Sequence, residues 1–224
     1  MDSDTNIQDQ LKIFREGVKT FENSLEAFKN NCIEAGWSTN GFMLPKEVVI
    51  ISKLETEDVV NTYFWNYFMC NNKEHYRVLN NSIICSQIDG KYIKLYKECL
   101  FAFEHEKNII CLNSLFPILE GLLRKYVNND QFISVRNICS DLLKETPDYA
   151  FSLERKSWEI NQGIINKIYK YEKLSTVEPE FINRNWLLHG RSTYNVTSLD
   201  CLKLMNLIGT LSNDFNRKTR KSIH

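Results

Sequence analysis

The chain has 224 residues, of which 43% are hydrophobic and 12% aromatic, enough for a packed core in one large domain or two small ones. Lysine and arginine together number 28, as do aspartate and glutamate. This balance excludes a generally basic nucleic-acid-binding domain, so any contact with nucleic acid requires a local patch.

The cysteine pattern indicates a reducing compartment, and the hydropathy pattern indicates that no segment spans a membrane. The seven cysteines are scattered, form no Cys-x-x-Cys pair and lie mostly among apolar residues, which is typical of reduced core thiols. The chain opens with Met1-Asp2-Ser3-Asp4 rather than an apolar leader, and no apolar run is long enough to cross a bilayer. We therefore expect a cytoplasmic protein with no membrane partner.

The low content of glycine and proline, eight and four residues, favours helices with short connections. No stretch has a convincing strand pattern, and we predict an all-α fold, a multi-helix bundle. Asp89-Gly90 is a strong turn signal. We place a soft boundary there, between residues 1–90, a helical region of unknown role, and residues 91–224, a second helical domain.

The first predicted helices lie in residues 1–90. Apolar residues recur from Leu11 to Cys32 at alternating steps of three and four, which predicts a long amphipathic helix that stops at Gly36-Trp37. This seam covers only about three heptads and is rich in phenylalanine, so we favour a bundle helix over a coiled coil. Pro45 suits the first position of the next helix. Thr56-Glu57-Asp58 should then cap an aromatic helix, whose all-round apolar character implies burial.

Helical periodicity also predicts the remaining elements. Pro117 should kink its helix or mark a new start, because its ring removes one intrahelical hydrogen bond. In chain order the predicted helices are one that follows the polar stretch 71–75 and ends near Gln87, then Lys91–Glu106, Asn108–Val127, Phe132–Leu143, Ser152–Tyr171, a helix that starts at Pro179 and ends at Gly190, and Leu199–Phe215 with Ser198 as its cap.

The candidate site is the stretch from Phe181 to Arg191, where polar side chains interrupt an apolar helical segment. Arg184, Asn185 and His189 supply a permanent cation, an amide that donates and accepts, and an imidazole that titrates near neutral pH. These groups can bind a phosphodiester and move a proton. Residues five apart on an ideal helix lie about 140° apart around its axis. Arg184 and His189 can therefore serve one site only if the helix opens near Gly190 or if two chains meet there.

The segment Arg184-Asn185-Trp186-Leu187-Leu188-His189 resembles the signature of Arg, polar residue and then His that marks the HEPN superfamily (higher eukaryotes and prokaryotes nucleotide-binding). The upstream segment Pro117–Arg124 resembles the Glu-bearing helix of bacterial HEPN proteins linked to phage abortive infection, and Gly36-Trp37 is similar to their N-terminal region. The resemblance covers Lys91 to Phe215. It implies that residues 91–224 form a HEPN-like helical bundle.

The resemblance also implies an activity. Active members dimerise so that two copies of the motif face each other, and the composite site cleaves RNA without metal or cofactor: a ribose 2′-hydroxyl attacks the adjacent phosphorus, leaving a 2′,3′-cyclic phosphate and a 5′-hydroxyl. Arg184 would hold the phosphate, and His189 would accept or donate a proton. Asn185 would orient His189 or the ribose, and Glu120 would hold Arg184 in place. Such a homodimer would be a toxin or effector in prokaryotic defence, with an antitoxin or another defence-system protein as a further partner.

One position departs from the pattern of the family. Many nuclease members place a tyrosine two residues after the histidine, where this chain has Arg191, with Tyr194 nearby. This departure and the neutral overall charge leave open a second interpretation, a non-catalytic helical module that binds a nucleotide, RNA or a protein partner through the same pocket. A purely structural helical protein is the third.

Other notable residues have ordinary structural interpretations. His75 and His105 lie among glutamates, but no second ligand pair has a matching spacing, so we expect solvated helix faces rather than a metal site. The tryptophans lie in helical apolar patterns typical of a core, and Trp186 should pack between helices. The basic stretch Arg217–Lys221 should be a solvated terminus.

Overall fold

Ten α-helices and one 3-10 turn form the regular structure of the residues that a computed structural model of this protein describes. The structure describes residues 2–39, 43–126, 134–146, 153–171 and 177–221, with the side chains of 2–7 and 217–221 left out of the description. Within these ranges there is no strand, which confirms the predicted all-α multi-helix bundle. No helix of the described ranges is long and apolar enough to span a bilayer.

The elements follow one another with short connections. In chain order they are α1 (Asp2–Ala35), α2 (Pro45–Ile51), α3 (Glu57–Met69), the 3-10 turn (Asn71–Lys73), α4 (Glu74–Ile84), α5 (Gly90–Glu104), α6 (Asn108–Tyr126), α7 (Val135–Glu145), α8 (Leu153–Ile168), α9 (Arg184–Leu188) and α10 (Ser198–Lys221).

Helices α6 and α10 lie at the centre of the packing. Helix α10 packs against α4 and α6, while α6 also contacts α5, α7 and the short α9. Helix α8 lies between α7 and α1, and α1 contacts α2 and α3 as well. One hydrophobic cluster extends from Leu25 in α1 to Leu211 in α10. The division of the chain at residue 90 stays a prediction, and the residues on both sides of it contribute to this core.

Local signals in the sequence set several helix ends as predicted. Pro45 is the first residue of α2. Thr56 is the N-cap of α3, and its hydroxyl accepts a hydrogen bond from the backbone N–H of Val59 at 3.4 Å. Gly36 follows the last residue of α1 with a φ of 76°, a backbone conformation that glycine adopts without a steric cost.

Two predicted burial patterns are only partly correct. Helix α3 buries one face, with Val60, Phe64 and Phe68 in the core, whereas Val59 is 47% exposed. Helix α1 is buried only in its second half, because residues 8–20 are all exposed. The exposed apolar side chains of its first half are Leu11, Ile13, Phe14 and Val18.

Two prolines do not start helices where the sequence pattern placed them. Helix α6 continues through Pro117, so this residue does not mark a new start. Pro179 lies in irregular backbone, and the helix that carries the motif begins only at Arg184 and is five residues long. The predicted start at Pro179 is therefore wrong.

The cap of the last helix is also one residue from the predicted position. Ser198 is already the first residue of α10. The capping group is Thr197, whose Oγ1 accepts from the backbone N–H of Asp200 at 3.4 Å, while Asp200 Oδ2 accepts from the backbone N–H of Thr197 at 2.7 Å. This reciprocal pair is a capping box with aspartate in place of glutamate.

Candidate functional site

Helix α9 begins at a side chain that serves two elements at once. Asn183 is 3% exposed, and its Oδ1 accepts hydrogen bonds from the backbone N–H groups of Asn185 at 3.0 Å and Trp186 at 3.2 Å. Its Nδ2 donates to the carbonyl oxygen of Lys170 at 2.9 Å, beyond the end of α8. Asn183 therefore both caps α9 and fixes it to the segment that follows α8.

Helix α9 ends as the sequence predicts. The backbone N–H of Gly190 donates to the carbonyl of Leu187 and that of Arg191 to the carbonyl of Trp186, each at 3.1 Å. Gly190 has a φ of 66°. This pair of bonds with a left-handed glycine is a Schellman motif, which satisfies carbonyls that a helix end leaves free.

Arg184, at the first position of α9, is held by the carboxylate of Glu120 from α6. Arg184 Nε donates to Glu120 Oε1 at 3.0 Å, and the exposed fractions of the two side chains are 29% and 19%. Arg184 Nη1 lies 3.4 Å from Asn185 Oδ1. The predicted contact between Glu120 and Arg184 is thus present. The hydrogen bonds of Arg184 to described residues use Nε and Nη1. The Nη2 group has no hydrogen-bond partner among these residues.

Tyr169 is a member of this cluster that the sequence did not suggest. Its hydroxyl donates to the same Glu120 Oε1 at 3.2 Å, and its ring meets that of Phe116 edge-on at a centroid distance of 6.4 Å. Burial, followed by the neighbouring Glu120 carboxylate, raises the pKa of Tyr169 well above its ordinary value. The sequence pattern placed it within the predicted helix Ser152–Tyr171 and gave it no role in the site. The one available signal was that a buried tyrosine hydroxyl usually requires a partner.

His189 lies at the other end of α9 and outside this cluster. It is the C-cap residue, its backbone N–H donates to the Asn185 carbonyl at 3.1 Å, and its side chain is exposed. Within the part of the chain that the structure describes, the imidazole has no hydrogen-bond or ionic partner. The orienting role expected of Asn185 stays a prediction, because its side-chain oxygen contacts Arg184 instead.

Tyr194 is engaged elsewhere. Its hydroxyl donates to Asp200 Oδ1 at 3.1 Å, in the first turn of α10, and burial raises its pKa. The segment after α9 is also tied to the segment before it, because Glu178 accepts hydrogen bonds from the Ser192 hydroxyl and from the backbone N–H of Thr193, the latter at 2.8 Å. These contacts fix the backbone on both sides of the motif.

Trp186 and Phe181 anchor the motif stretch in the protein. Trp186 is 7% exposed, as expected for a side chain packed between helices, and its Nε1 has no partner among the described residues. Phe181 packs on the turn after α1, where a Cβ added at Gly36 would lie 2.7 Å from its ring. The Nζ of Lys167 lies 4.4 Å from the same ring centroid, within the range of a cation–π contact. The N-terminal region therefore contacts the motif stretch directly.

The two histidines among glutamates have local structural contacts. The His75 ring stacks on Tyr67 at 4.0 Å, and its Nδ1 lies 3.0 Å from the Tyr67 carbonyl oxygen. His105 Nδ1 lies 2.8 Å from the carbonyl oxygen of Phe101. The described residues contain no group of three His, Cys, Asp or Glu side chains that could hold a metal ion.

No protein-family model, curated protein or solved structure matches this chain. The chemistry of the site must therefore be judged from its own geometry. Arg184 offers a guanidinium, held by Glu120, that can donate hydrogen bonds to an anion, and His189 offers an accessible imidazole.

Proposed function

We propose that this protein is a metal-independent endoribonuclease of the HEPN type, which acts as a homodimer in the cytoplasm and serves as a toxin or effector in prokaryotic defence. The observation that carries the proposal is the ion pair of Arg184 with Glu120, which holds the motif arginine at the start of α9, while the motif histidine is exposed at the other end of the same helix. The RNA substrate, and an antitoxin or defence-system partner, belong to the same proposal.

The geometry suits cleavage by the ribose 2′-hydroxyl. With Nε fixed by Glu120, the Nη2 group of Arg184 remains to donate to a phosphate oxygen and to offset the charge that grows in the transition state. His189 has no competing partner in the described part of the chain, so it can take the proton of the 2′-hydroxyl or protonate the leaving 5′-oxygen.

A second copy completes the proposed site. The reaction needs both a base and an acid, and each chain supplies one motif histidine. Two motifs that face each other across a two-fold axis would place one His189 on each side of the phosphodiester. This arrangement also resolves the angular separation of about 140° between Arg184 and His189 on one helix, because each arginine can act with the histidine of the other copy.

The deciding experiment is RNA cleavage in EDTA. Purified protein is incubated with mixed cellular RNA beside Arg184→Ala, His189→Ala and the matched control His105→Ala, which removes another exposed histidine. We expect cleavage with cyclic phosphate ends, lowered about 10²- to 10³-fold by Arg184→Ala and about 10²- to 10⁴-fold by His189→Ala, and unchanged in the control. No cleavage by the parent, or equal cleavage by all variants, would refute the catalytic proposal.

One observation favours the non-catalytic interpretation as the second candidate. No side chain in the described ranges orients the imidazole of His189, whereas Arg184 is held firmly. A module that only binds RNA or a nucleotide would need the arginine alone. It would show binding that Arg184→Ala weakens, with no strand scission by any variant. Absence of both binding and cleavage would leave a purely structural or protein-binding helical protein.

A further inference from the structure

The first half of α1 projects from the body of the protein. Helix α1 has 34 residues, and residues 8–20 are all exposed, whereas its second half packs against α2, α3 and α8. We call residues 8–22 the α1 arm. An isolated helix of this length is marginal in water, so a partner that covers one face would stabilise it.

The α1 arm carries an apolar seam with the spacing of a coiled coil. Leu11 and Val18 occupy the a positions of two heptads, and Phe14 and Phe21 occupy the d positions. Phe14 is 69% exposed, while Phe21 is partly buried where the arm meets the body. The same heptad continues into the core, so the seam is covered at one end and open at the other.

Gly17 is the second unusual feature of the α1 arm. Glycine in a helix interior is destabilising relative to alanine, and a Cβ added at Gly17 would meet no atom within 4 Å. Among the described residues, no contact gives a reason for a glycine here. Gly17 lies at a g position beside the seam, where the missing side chain would let a second helix approach closely.

The charges beside the seam indicate which partner helix fits it and in which orientation. The e positions carry Gln8, Arg15 and Glu22, of which Arg15 and Glu22 are charged, with opposite signs. The g positions are uncharged: Gln10, Gly17 and Ser24. Parallel coiled coils place e against g, which would pair no charges here. Antiparallel ones place e against e, so that Arg15 of each arm would face Glu22 of the other.

We propose that the α1 arm is a dimerisation element that pairs in antiparallel fashion with the α1 arm of a second copy of this chain. The two-fold axis passes near Gly17, so that Leu11 packs against Phe21 of the other copy and Phe14 against Val18. Helical side chains tilt toward the N-terminus, which brings Arg15 and Glu22 of opposing arms toward each other. The interface is self-complementary, as a two-fold dimer requires.

This interface differs from the composite ribonuclease site and does not depend on it. Antiparallel arms hold the two bodies at opposite ends of the paired helices, away from each other. A protein that has both interfaces would form assemblies larger than a dimer. Loss of one interface would leave the other intact, so the two proposals can fail separately.

Sedimentation equilibrium of the full chain over a range of concentrations tests the proposal. Two charge pairs change from attractive to repulsive in R15E or in E22R, and we expect the dissociation constant for self-association to rise about tenfold in each. The double variant R15E/E22R should restore it. Phe14→Ser should weaken association about a hundredfold or more, and Phe101→Ser is the matched control, because Phe101 is 61% exposed outside the α1 arm.

A parent chain that is monomeric at every concentration would overturn the proposal. So would self-association that Phe14→Ser leaves unchanged, because the association would then use another surface. Failure of R15E/E22R to restore association would overturn the proposed charge pairing.

Cysteine crosslinking tests the orientation of the arms. The exposed native thiols Cys70 and Cys85 are first replaced by serine. With a short bismaleimide, Gly17→Cys should crosslink two copies efficiently, because both residues lie at the crossing point. Leu11→Cys should not, because the two copies of this residue lie about 15 Å apart along an antiparallel pair. Efficient crosslinking of Leu11→Cys would show parallel arms and refute the proposal.

Discussion

The two ends of α9 differ in how the rest of the molecule holds them. At the first end, Arg184 is bound by Glu120 from α6, which also accepts a hydrogen bond from Tyr169 after α8. At the other end, the described residues hydrogen-bond to His189 only through its backbone, and its side chain is exposed. The five residues of α9 thus connect an arginine that a distant helix holds to a histidine whose side chain no described residue holds.

This difference shows which of the two motif side chains is held in place by neighbouring groups. Groups that act on a substrate need support from surrounding side chains to keep a productive geometry. The described residues supply that support to Arg184, through Glu120, and supply none to the side chain of His189. In the proposed composite site, a substrate or a second copy would supply the support for His189.

Among the substitutions around α9, removal of the Glu120 carboxylate should lower the free energy of unfolding the most. Glu120→Ala leaves a largely buried guanidinium without its ionic partner, and we expect the free energy of unfolding to fall by about 1–3 kcal/mol. His189→Ala, which removes no side-chain contact of the described chain, should change it by less than about 0.5 kcal/mol. Urea denaturation of both variants measures the difference.

Similar losses in both variants would contradict the proposed division of α9. Glu120→Gln serves as the control for packing, because the amide keeps the shape of the side chain and an acceptor oxygen for Arg184 but removes the charge. Its loss should lie between those of the other two variants.

The N-cap should have the next largest effect. Asn183→Ala removes the acceptor for two backbone N–H groups and the donor to the Lys170 carbonyl, and we expect a loss of about 1–2 kcal/mol. Asn183→Asp keeps the cap but loses the donor, so its smaller loss separates the two roles. Asn185→Ala is the matched control, and a loss as large as that of Asn183→Ala would show that the cap is not what holds α9.

The parts of this site that local chemistry determines could be predicted from the sequence. Gly190 ends α9 because a Schellman turn needs a left-handed residue, and Pro45 and Thr56 begin their helices for equally local reasons. The long helices follow from apolar periodicity. The contact between Glu120 and Arg184 joins residues 64 apart, and it was suggested by resemblance rather than by any periodic pattern.

The remaining features depend on contacts that no local pattern contains. The bond from Tyr169 to Glu120 spans 49 residues. The start of α9 was misplaced because Asn183, which resembles any polar residue in a helical stretch, becomes a cap only when its amide also reaches Lys170. In α1 the periodicity is the same in both halves, and only the tertiary fold decides which half is covered.

A change of the backbone at Gly190, at the His189 end of α9, should have a smaller but measurable effect on stability. Gly190→Ala places a Cβ in the left-handed region, where the space around it is open, so backbone strain alone should cost about 1 kcal/mol. Glu106 occupies the equivalent position after α5 with a φ of 57° and is the reverse control. Glu106→Gly should stabilise the protein by up to about 1 kcal/mol in thermal unfolding. If these turns rearranged freely, Gly190→Ala would not lower the stability and Glu106→Gly would not raise it.

The smallest effect on stability should come from Tyr169, near the Arg184 end of α9, and this effect should depend on pH. Tyr169→Phe removes one hydrogen bond to Glu120 while it keeps the ring packing, and near pH 7 it should lower the free energy of unfolding by about 0.5–1.5 kcal/mol. In the parent the folded pKa of Tyr169 is raised, first by burial and then by Glu120. The stabilisation is therefore complete below the unfolded pKa, about 10, and is lost as the pH rises above it, because only the unfolded state releases the proton.

The two stability curves should therefore converge and then cross as the pH rises. Each pH unit above about 10 costs the parent about 1.4 kcal/mol through this one group, whereas the phenylalanine variant has no such proton to lose. Other tyrosines and the lysines titrate in both proteins, so their contributions cancel in the difference. Parallel curves between about pH 8 and 11 would show that the Tyr169 hydroxyl is not buried against Glu120. The held end of α9 would then depend on the ion pair alone.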